Sequence, residues 1–299
     1  MIDLNTSNNY TETFNPHARH LATMLNISEI APNLALGDDG IWISGGKEAV
    51  SYPQEGNQAC FQIEDSSFWF IHRNACIAAS VKNFPPPGNG AIFDIGGGNG
   101  FVSLGLTKAG FETVLVEPGL AGASNGKQRG LSTVICATTT DAGFKSSTLD
   151  AIGLFDVVEH IDNDLQFLES MRDLLKPRGR MYVTVPAFFA LWSREDELAG
   201  HFRRYTCDSI GALIERAGLK LEYSTYFFRP LPLPIFLLRS LPHRIGINRE
   251  SGDEIRDHKP GNRAAAAVLD ALLSGEVKNI ERRRRMTFGA SCLLVATVP

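Results

Sequence analysis

A glycine-rich turn, Asp94 to Gly100, constrains this chain more than any other feature of its sequence. It reads Asp-Ile-Gly-Gly-Gly-Asn-Gly and lies between a strand-like apolar run, 91–95, and a helix-like segment, 101–109. A strand that ends in such a turn and leads into a helix brings backbone N–H groups close to a ligand, because glycine has no side chain to block the approach. The turn therefore predicts a cofactor site at the carboxyl end of a strand.

Apolar strand-like runs alternate with helix-like segments after the stop signal Pro85-Pro86-Pro87-Gly88. This alternation predicts an α/β fold with a doubly wound, mostly parallel, seven-stranded sheet covered on both faces. The predicted strands are 91–95, 113–116, 132–135, 151–155, 180–185, 219–228 and 291–298, and the predicted helices include 101–109, 163–175 and 207–217. Before the stop signal, the aromatic-rich stretch 61–81 has helical periodicity.

The sequence predicts one large domain with additions, since 43% hydrophobic residues in a chain of 299 can bury one substantial core. We expect an N-terminal extension or small subdomain over 1–58, the main domain over 59–299, and an insertion at about 229–285 before the last strand. The insertion has a proline-punctuated apolar stretch with several arginines. It either shapes an acceptor pocket, docks a lipid-linked substrate at a membrane surface, or contacts a second subunit of a homo-oligomer.

Net charge and the composition of single segments indicate which partners and which cellular location to expect. A formal net charge of -4 provides no overall positive field for DNA or RNA, so a nucleic-acid substrate is not expected. The first residues, 1–19, are polar and lack the pattern of a secretory signal, and no apolar run is long enough to span a bilayer. These features predict a cytoplasmic protein.

The spacing of the glycines separates two classes of cofactor. A dinucleotide fingerprint counted from Gly96 requires a third glycine where this chain has Phe101. The spacing D-x-G-x-G-x-G instead resembles the first motif of class I S-adenosylmethionine-dependent methyltransferases. In that family the acid faces the amino-acid part of the cofactor and the glycines pass beneath its ribose. The resemblance implies cofactor contacts from Asp94, Gly96, Gly97, Gly98 and Asn99.

Further cofactor residues are expected at the ends of the following strands. Glu117 ends the second predicted strand, where a carboxylate can accept both ribose hydroxyls, and Pro118 follows it. By the same resemblance, residues after the third strand pack on the adenine, and Phe155 and Asp156 border the site of methyl transfer. The residues predicted near the adenine are Ala137, Thr138, Thr139 and Asp141.

Several other motifs resemble methyltransferase elements. The run Phe155 to Ile161, FDVVEHI, is similar to the fourth-strand motif of the family, and Leu174 to Arg180 is similar to its L-L-K-P-G-G-R turn, with Arg178 in place of a glycine. The elements FWFxxRN at 68–74 and GHFRRYT at 200–206 resemble a bacterial branch of methyltransferases that has no single substrate.

His160 is the first candidate for a catalytic base, because its near-neutral intrinsic pKa suits removal of a hydroxyl proton. Together with Asp156 and Glu159 it forms D-x-x-E-H, which resembles the E-x-x-E-H of ubiquinone-biosynthesis and small-RNA O-methyltransferases. In those families a divalent cation assists the acceptor hydroxyl, which here would be Mg²⁺ held also by His201. The alternative is that Glu159 and His160 only begin a helix.

Acceptor contacts are expected after the fifth strand, in a segment rich in Trp, His, Arg and Tyr. The candidates are Trp192, Arg203, Arg204 and Tyr205. The two arginines could pair with a carboxylate or phosphate of the acceptor, or one of them could only bridge to Asp196 or Glu197 within the chain.

Together these features predict an enzyme that moves the methyl group of S-adenosylmethionine to a small-molecule or lipid-linked acceptor, with oxygen as the expected atom and His160 as base. Two alternatives stay open at this point. One is a nicotinamide-dependent oxidoreductase, since both folds place a nucleotide on a glycine turn. The other is a non-catalytic subunit that binds a partner protein.

Overall fold

The computed structural model describes residues 25–45, 60–247 and 263–299, with the backbone alone for 263–268. Its strands are β1 (Leu34–Leu36), β2 (Trp42–Ser44), β3 (Ile92–Ile95), β4 (Thr113–Val116), β5 (Thr133–Cys136), β6 (Leu149–Phe155), β7 (Leu175–Pro186), β8 (Lys220–Phe227) and β9 (Ser291–Thr297). Its α-helices are α1 (Ile27–Ile30), α2 (Phe68–Asn83), α3 (Phe101–Lys108), α4 (Leu120–Gln128), α5 (Thr139–Ala142), α6 (Asp164–Leu174), α7 (Arg194–Leu198), α8 (Cys207–Arg216), α9 (Pro232–Ile235), α10 (Leu241–Arg244) and α11 (Arg263–Glu281).

The strands form one mixed sheet in the order β1-β2-β5-β4-β3-β6-β7-β9-β8. Every residue of β3 and β4 is buried, as expected for parallel strands that carry helices on both faces. The chain starts this core at β3, proceeds outward through β4 and β5, and returns to the other side of β3 with β6. The order therefore reverses between β3 and β6, and such a switch point is where open α/β sheets bind ligands.

The α/β doubly wound fold is confirmed, and all seven predicted strands are present. Two further strands come from the N-terminal extension, because β1 pairs with β2 and β2 pairs in parallel with β5. The sheet therefore has nine strands instead of seven. Within residues 25–45 the N-terminal extension is thus part of the sheet, and its residues 1–24 and 46–58 lie outside the described residues.

The prediction of one continuous helical stretch over 61–81 is wrong, because the helix is interrupted. A helical segment ends at residue 63, a turn covers 64–66, and α2 begins at Phe68 and runs to Asn83. Asp65, Ser66 and Ser67 are polar residues that favour turns over helix interiors, which explains the break. The break turns Glu64 toward the glycine turn, where it receives a hydrogen bond from Asn99.

The fifth predicted strand begins earlier than expected. Strand β7 starts at Leu175, opposite Leu149, and its pairing with β6 is irregular before Arg180. Arg178 has a φ of 65° in this irregular region, at the position where the family motif carries glycine. A non-glycine residue tolerates this left-handed conformation at a modest cost in energy, so the departure from the motif leaves the strand intact.

The described parts of the insertion before β9, 229–247 and 263–285, are mainly helical, with α9, a π-helical turn at Phe236–Ser240, α10 and α11. Glu276 of α11 is buried and accepts hydrogen bonds from the backbone N–H groups of Phe228 and Arg229, where the insertion begins. His72 of α2 also contacts this carboxylate, at 2.9 Å. The insertion is therefore tied to α2. Among the described residues, none of the helices combines the length and apolar character needed to cross a membrane.

Candidate functional site

A cavity of about 490 Å³ lies at the switch point between β3 and β6. Two groups of residues line it. On one side, here called the cofactor side, are Asp94, the turn residues 95–99, Glu117, Pro118 and the residues Ala137, Thr138 and Thr139. On the other side, here called the acceptor side, are Phe70, Arg73, Phe155, Asp156, His160, Ile161, Phe167, Ala199 and His201.

The glycine turn takes a backbone path that only glycine adopts easily. Gly96, Gly98 and Gly100 have φ values of 67°, 55° and 72°, in the left-handed region. At Gly97 an added Cβ would lie 2.5 Å from a side-chain atom of Leu115 and 2.7 Å from the Asp94 carboxyl carbon. The glycines therefore let the turn bring its backbone to the cavity wall, as the spacing predicts.

Glu117 braces this turn. Its carboxylate accepts hydrogen bonds from the Gly98 and Gly119 backbone N–H groups, both at 2.8 Å. Burial raises the pKa of Glu117, although these two bonds oppose the rise. The carboxylate lines the cavity, and each oxygen retains a lone pair that can accept a ligand hydroxyl. This geometry fits a ribose diol bound at Glu117.

Asp94 is fully buried behind the turn. One oxygen, Oδ2, accepts a hydrogen bond from the Ser103 hydroxyl at 2.7 Å, whereas Oδ1 is buried without a partner. Burial raises the pKa of Asp94 to about 6, because the charged carboxylate loses its hydration. A buried carboxylate oxygen without a partner is costly unless a ligand supplies a donor. An ammonium group, such as that of the amino-acid part of S-adenosylmethionine, would satisfy it.

Of the four residues predicted near the adenine, three line the cavity and one does not. Ala137, Thr138 and Thr139 line the cavity beside Pro118. Asp141 does not line it and lies in α5, with its backbone N–H bonded to the Thr138 hydroxyl at 3.0 Å. The adenine contact predicted for Asp141 therefore has no support from the cavity lining.

Asn99 also lines the cavity, and its side-chain amide is hydrogen-bonded to other residues of the chain. Its amide donates to Glu64 at 3.3 Å and accepts from Asn125 at 2.9 Å. Glu64 in turn accepts from Arg129 at 2.7 Å. This buried network fixes the last part of the turn against α4 and the segment before α2.

On the acceptor side, Asp156 is held by two partners. Its Oδ1 accepts a hydrogen bond from the Thr184 hydroxyl at 3.0 Å, and its Oδ2 lies 2.7 Å from Arg73 Nε. Arg73 also donates to the Phe155 carbonyl at 2.7 Å. The backbone of Asp156 has a φ of 58°, which is uncommon outside glycine and often marks a functional position.

Arg73 is a site residue that was not among the predicted ones. Its signal was present in the FWFxxRN element, where it is the arginine, but nothing in the sequence indicates that α2 packs beside the end of β6. The pairing between Arg73 and Asp156 joins residues that are far apart in the chain. Only the tertiary fold brings them together.

His160 and His201 meet at the acceptor side with ring centroids 4.6 Å apart. Burial, and then the proximity of His201, lower the pKa of His160 to about 4, so its imidazole is neutral at neutral pH. His201 Nδ1 lies 2.9 Å from the Asp196 carboxylate. Burial would raise the pKa of Asp196, but hydrogen bonds from His201 and Arg204 outweigh it and lower the pKa to about 2. The ionised Asp196 carboxylate therefore accepts a hydrogen bond from the Nδ1–H group of His201.

Glu159 is fully buried next to these histidines, and both of its side-chain oxygens lack a hydrogen-bond partner. Burial, reinforced by Asp156, raises the pKa of Glu159 well above its ordinary value. One atom each from Glu159, His160 and His201 can lie within 4.8 Å of one another, so the three fit a metal ion. Asp156, the fourth residue predicted for the metal site, is not part of this group, and its carboxylate contacts Arg73 and Thr184 instead.

The four residues predicted to contact the acceptor do not line the cavity. Arg204 pairs with the buried Asp196 at 2.7 Å, and Arg203 pairs with Asp164 at 2.7 Å. Tyr205 donates to the same Asp164 carboxylate at 2.9 Å, and Trp192 packs near Phe189. The internal bridge considered as the alternative is thus present for Arg204, which pairs with Asp196, whereas Arg203 pairs with Asp164, which was not among the expected partners. Acceptor contact by these four stays a prediction that the cavity lining does not support.

A family model described as a methyltransferase domain matches residues 70–224. This range is more than half of the 299-residue chain. It begins in α2, ends in β8, and includes the glycine turn, Glu117 and both histidines. No curated protein matches the sequence significantly.

Solved structures share the fold at low sequence identity. A chain from the complex between the Haloferax volcanii Trm112 methyltransferase activator and a methyltransferase is 14% identical with a TM-score of 0.52, covering 82% of this chain and 95% of that one. The Haemonchus contortus phosphoethanolamine N-methyltransferase 2 is 17% identical with a TM-score of 0.50, covering 86% and 62%. The [4+2]-cyclase SpnF is 14% identical with a TM-score of 0.50, covering 85% and 98%.

Proposed function

The chain belongs to the methyltransferase-domain family and is an S-adenosylmethionine-dependent methyltransferase; from this premise we propose that it methylates a hydroxyl oxygen of a small-molecule or lipid-linked acceptor, with His160 as the base. The family assignment favours methyl transfer over the nicotinamide-dependent and non-catalytic alternatives. The observation that carries the proposal is a neutral imidazole, His160, in the same cavity as the glycine turn.

The cofactor side fits S-adenosylmethionine by its polar groups. The unpartnered Asp94 Oδ1 suits the ammonium group, Glu117 suits the ribose hydroxyls, and the glycine turn leaves room for a close backbone approach. When bound, the cofactor supplies an electrophilic methyl group and becomes S-adenosylhomocysteine. Glu117 and the turn orient the ligand, and orientation alone accounts for a large part of the rate in a displacement reaction.

On the acceptor side, His160 is expected to accept the hydroxyl proton as the acceptor oxygen bonds to the methyl carbon. A neutral imidazole can do this, whereas a protonated one cannot. The low pKa of His160 keeps it neutral across the physiological range. Phe70, Phe155, Ile161 and Phe167 give the same side an apolar wall that can exclude water and pack on the body of the acceptor.

Binding a divalent cation is a second role that acceptor-side residues can serve. Glu159 has two unpartnered oxygens, and the cluster with His160 and His201 has a donor set of one carboxylate and two imidazoles. A bound cation would polarise the acceptor oxygen as a Lewis acid. Two nitrogen donors suit Zn²⁺, Mn²⁺ or Fe²⁺ better than the Mg²⁺ suggested by the family resemblance, because Mg²⁺ prefers oxygen ligands. In that case His160 would be a ligand and not the base.

The test is turnover with an isotopically labelled methyl group against a panel of phenols, aliphatic alcohols, lipid-linked alcohols and amines. The nuclear magnetic resonance shift of the labelled methyl distinguishes oxygen, nitrogen and carbon as the methylated atom. We expect an O-methyl product from the wild type and a large loss with His160→Asn. An N-methyl product would contradict the proposal. Repeating the assay after chelation and with added Mn²⁺ or Zn²⁺ separates the two roles of His160, because only the cation role requires the metal.

A further inference from the structure

The helical segment from Pro232 to Arg244 turns apolar side chains outward. It consists of α9, the π-helical turn and α10 in direct succession. Four leucines on it and Ile245 directly after it are well exposed, and four of these five side chains follow one another at intervals of four residues, which places them on one side of a helix. We call Leu233, Leu237, Leu238, Leu241 and Ile245 the leucine face; their exposed fractions are 66%, 49%, 55%, 39% and 63%.

The inner side of the same segment is anchored to the body of the protein. Ile235 and Phe236 pack against the core cluster that includes Phe227 and Phe228. Arg239 lies 3.8 Å from Glu195, and His243 lies 3.3 Å from Glu197, both in α7. The segment is therefore held in one orientation, and the leucine face is its outer surface. An exposed apolar patch of this kind usually marks an interaction site.

The charge around the leucine face indicates the kind of partner. Residues 229–247 contain no Asp or Glu but include Arg229, Arg239, His243 and Arg244, although the whole chain has a net charge of -4. Arg229, three residues before the segment, and Arg244, at its end, are exposed. Arg229 lies over the Phe288 ring, and Arg244 donates a hydrogen bond to the Ala190 carbonyl at 3.0 Å. The acids that contact the segment, Glu195 and Glu197 of α7, pair with Arg239 and His243. An apolar face with arginines at its ends and no acid in its own sequence is the pattern of helices that lie at the surface of anionic membranes.

A neighbouring part of the chain does not offer a cover for this face. The segment 248–262, which follows it, has Ile255 as its single large aliphatic residue among mostly charged and small residues. Such a composition cannot bury a row of leucines. An external surface is a better occupant than this segment.

We propose that the leucine face is a peripheral membrane-binding surface, which inserts its leucines between the headgroups of an anionic bilayer while Arg229 and Arg244 contact the lipid phosphates. The π-helical turn of this segment packs on residues 189–191, and α7 leads directly to the cavity residues Ala199 and His201. The surface therefore lies beside the acceptor side of the cavity. If the proposed function is correct, this arrangement suits an acceptor that is itself anchored in the bilayer.

The test is flotation of the full chain with vesicles of phosphatidylcholine mixed with phosphatidylglycerol, compared with phosphatidylcholine alone. We expect binding to the anionic vesicles that weakens with added salt. Leu238→Glu should weaken it about tenfold, because the variant loses a leucine side chain that would insert into the bilayer and adds a negative charge that the anionic surface repels. Leu36→Glu is the matched control, since Leu36 is 58% exposed at the far edge strand β1 and should bind as the wild type does. Leu233→Ser is a second, milder variant with the same expected direction.

Binding of S-adenosylhomocysteine by each variant reports separately on the fold and on the cofactor site. A failure of vesicle binding is thereby distinguished from a failure of the proposed function. Absence of flotation with anionic vesicles would overturn the proposal, as would equal effects of Leu238→Glu and Leu36→Glu. Light scattering tests the other occupant: a wild-type dimer that Leu238→Glu converts to a monomer would assign the leucine face to a second copy of this chain and also overturn it.

Discussion

The cofactor side and the acceptor side of the cavity are assembled from the chain in different ways. On the cofactor side, Glu117 braces Gly98 and Gly119, and these groups come from two successive strand ends with the helix between them. On the acceptor side, Arg73 reaches Asp156 and His201 reaches His160 across long stretches of chain. The cofactor side is thus a local supersecondary unit, whereas the acceptor side exists only in the completed fold.

The two sides also differ in how their polar groups are satisfied. The turn and Glu117 satisfy each other before any ligand arrives, although Asp94 Oδ1 on the same side is buried without a partner. The acceptor side keeps the buried Glu159 without hydrogen-bond partners beside two imidazoles. We therefore expect substitutions on the cofactor side to lower cofactor affinity, and substitutions on the acceptor side to lower kcat without changing that affinity.

The largest expected effect is on cofactor affinity. Glu117→Ala removes an acceptor for two ribose hydroxyls and the brace of the turn, and hydrogen bonds to a charged group contribute about 1.5–3 kcal/mol each. We expect S-adenosylhomocysteine to bind about a thousandfold more weakly, measured by calorimetric titration. Glu112→Ala, an exposed acid just before β4, is the control and should bind normally. A loss of less than tenfold would show that Glu117 does not hold the ribose.

The next effect is on turnover. His160→Asn should lower kcat about a hundredfold, the usual contribution of a positioned base, with no change in the affinity for S-adenosylhomocysteine. The kcat is measured with the acceptor found in the labelled-methyl assay, and the affinity by calorimetric titration. If affinity fell together with kcat, the two sides would not be separable and the contrast between them would fail.

Asp94 provides a pH-dependent effect on the cofactor side alone. Its pKa is raised to about 6, so the carboxylate is ionised at neutral pH and becomes protonated as the pH falls through 6. If it pairs with the ammonium group of the cofactor, affinity for S-adenosylhomocysteine should be constant above this pH and fall below it, by up to about tenfold per pH unit. Titrations across this range check the sign, and Asp94→Asn should abolish the dependence. A dependence retained in Asp94→Asn would assign it to another group.

The smallest effect concerns Arg203. Because its ion pair with Asp164 is partly exposed, Arg203→Gln should lower the free energy of unfolding by at most about 1 kcal/mol. Thermal or denaturant unfolding measures this, and the KM for the acceptor should not change. A tenfold rise in KM with unchanged stability would restore the acceptor contact that the sequence predicts.

The difference between the two sides also explains what the sequence could predict. Strand β3, the turn and Glu117 follow one another with fixed spacing, so local pattern and family resemblance predict them together. Arg73 is recognisable as part of a motif, but its contact with Asp156 depends on how α2 packs against the sheet. The pairing of Arg204 with Asp196 was one of two open interpretations, because spacing alone does not tell whether an arginine turns toward a ligand or toward a buried carboxylate.

The N-terminal strands show the same limit in the fold. Strands β1 and β2 have three residues each, too few for a periodic pattern, and they become strands because β2 pairs with β5. The break before α2 was equally hidden, since the aromatic residues on both sides of it keep a helical spacing. Tertiary pairing, not local preference, decides such short elements.

The most direct test of the account is a calorimetric titration of the wild-type chain with S-adenosylhomocysteine and, separately, with NADH. The account predicts that one S-adenosylhomocysteine binds per chain in the micromolar range and that NADH does not bind, because Phe101 stands where a dinucleotide turn requires glycine. Binding of NADH in preference to S-adenosylhomocysteine would contradict the assignment of the glycine turn and Glu117 as the seat of the methyl donor.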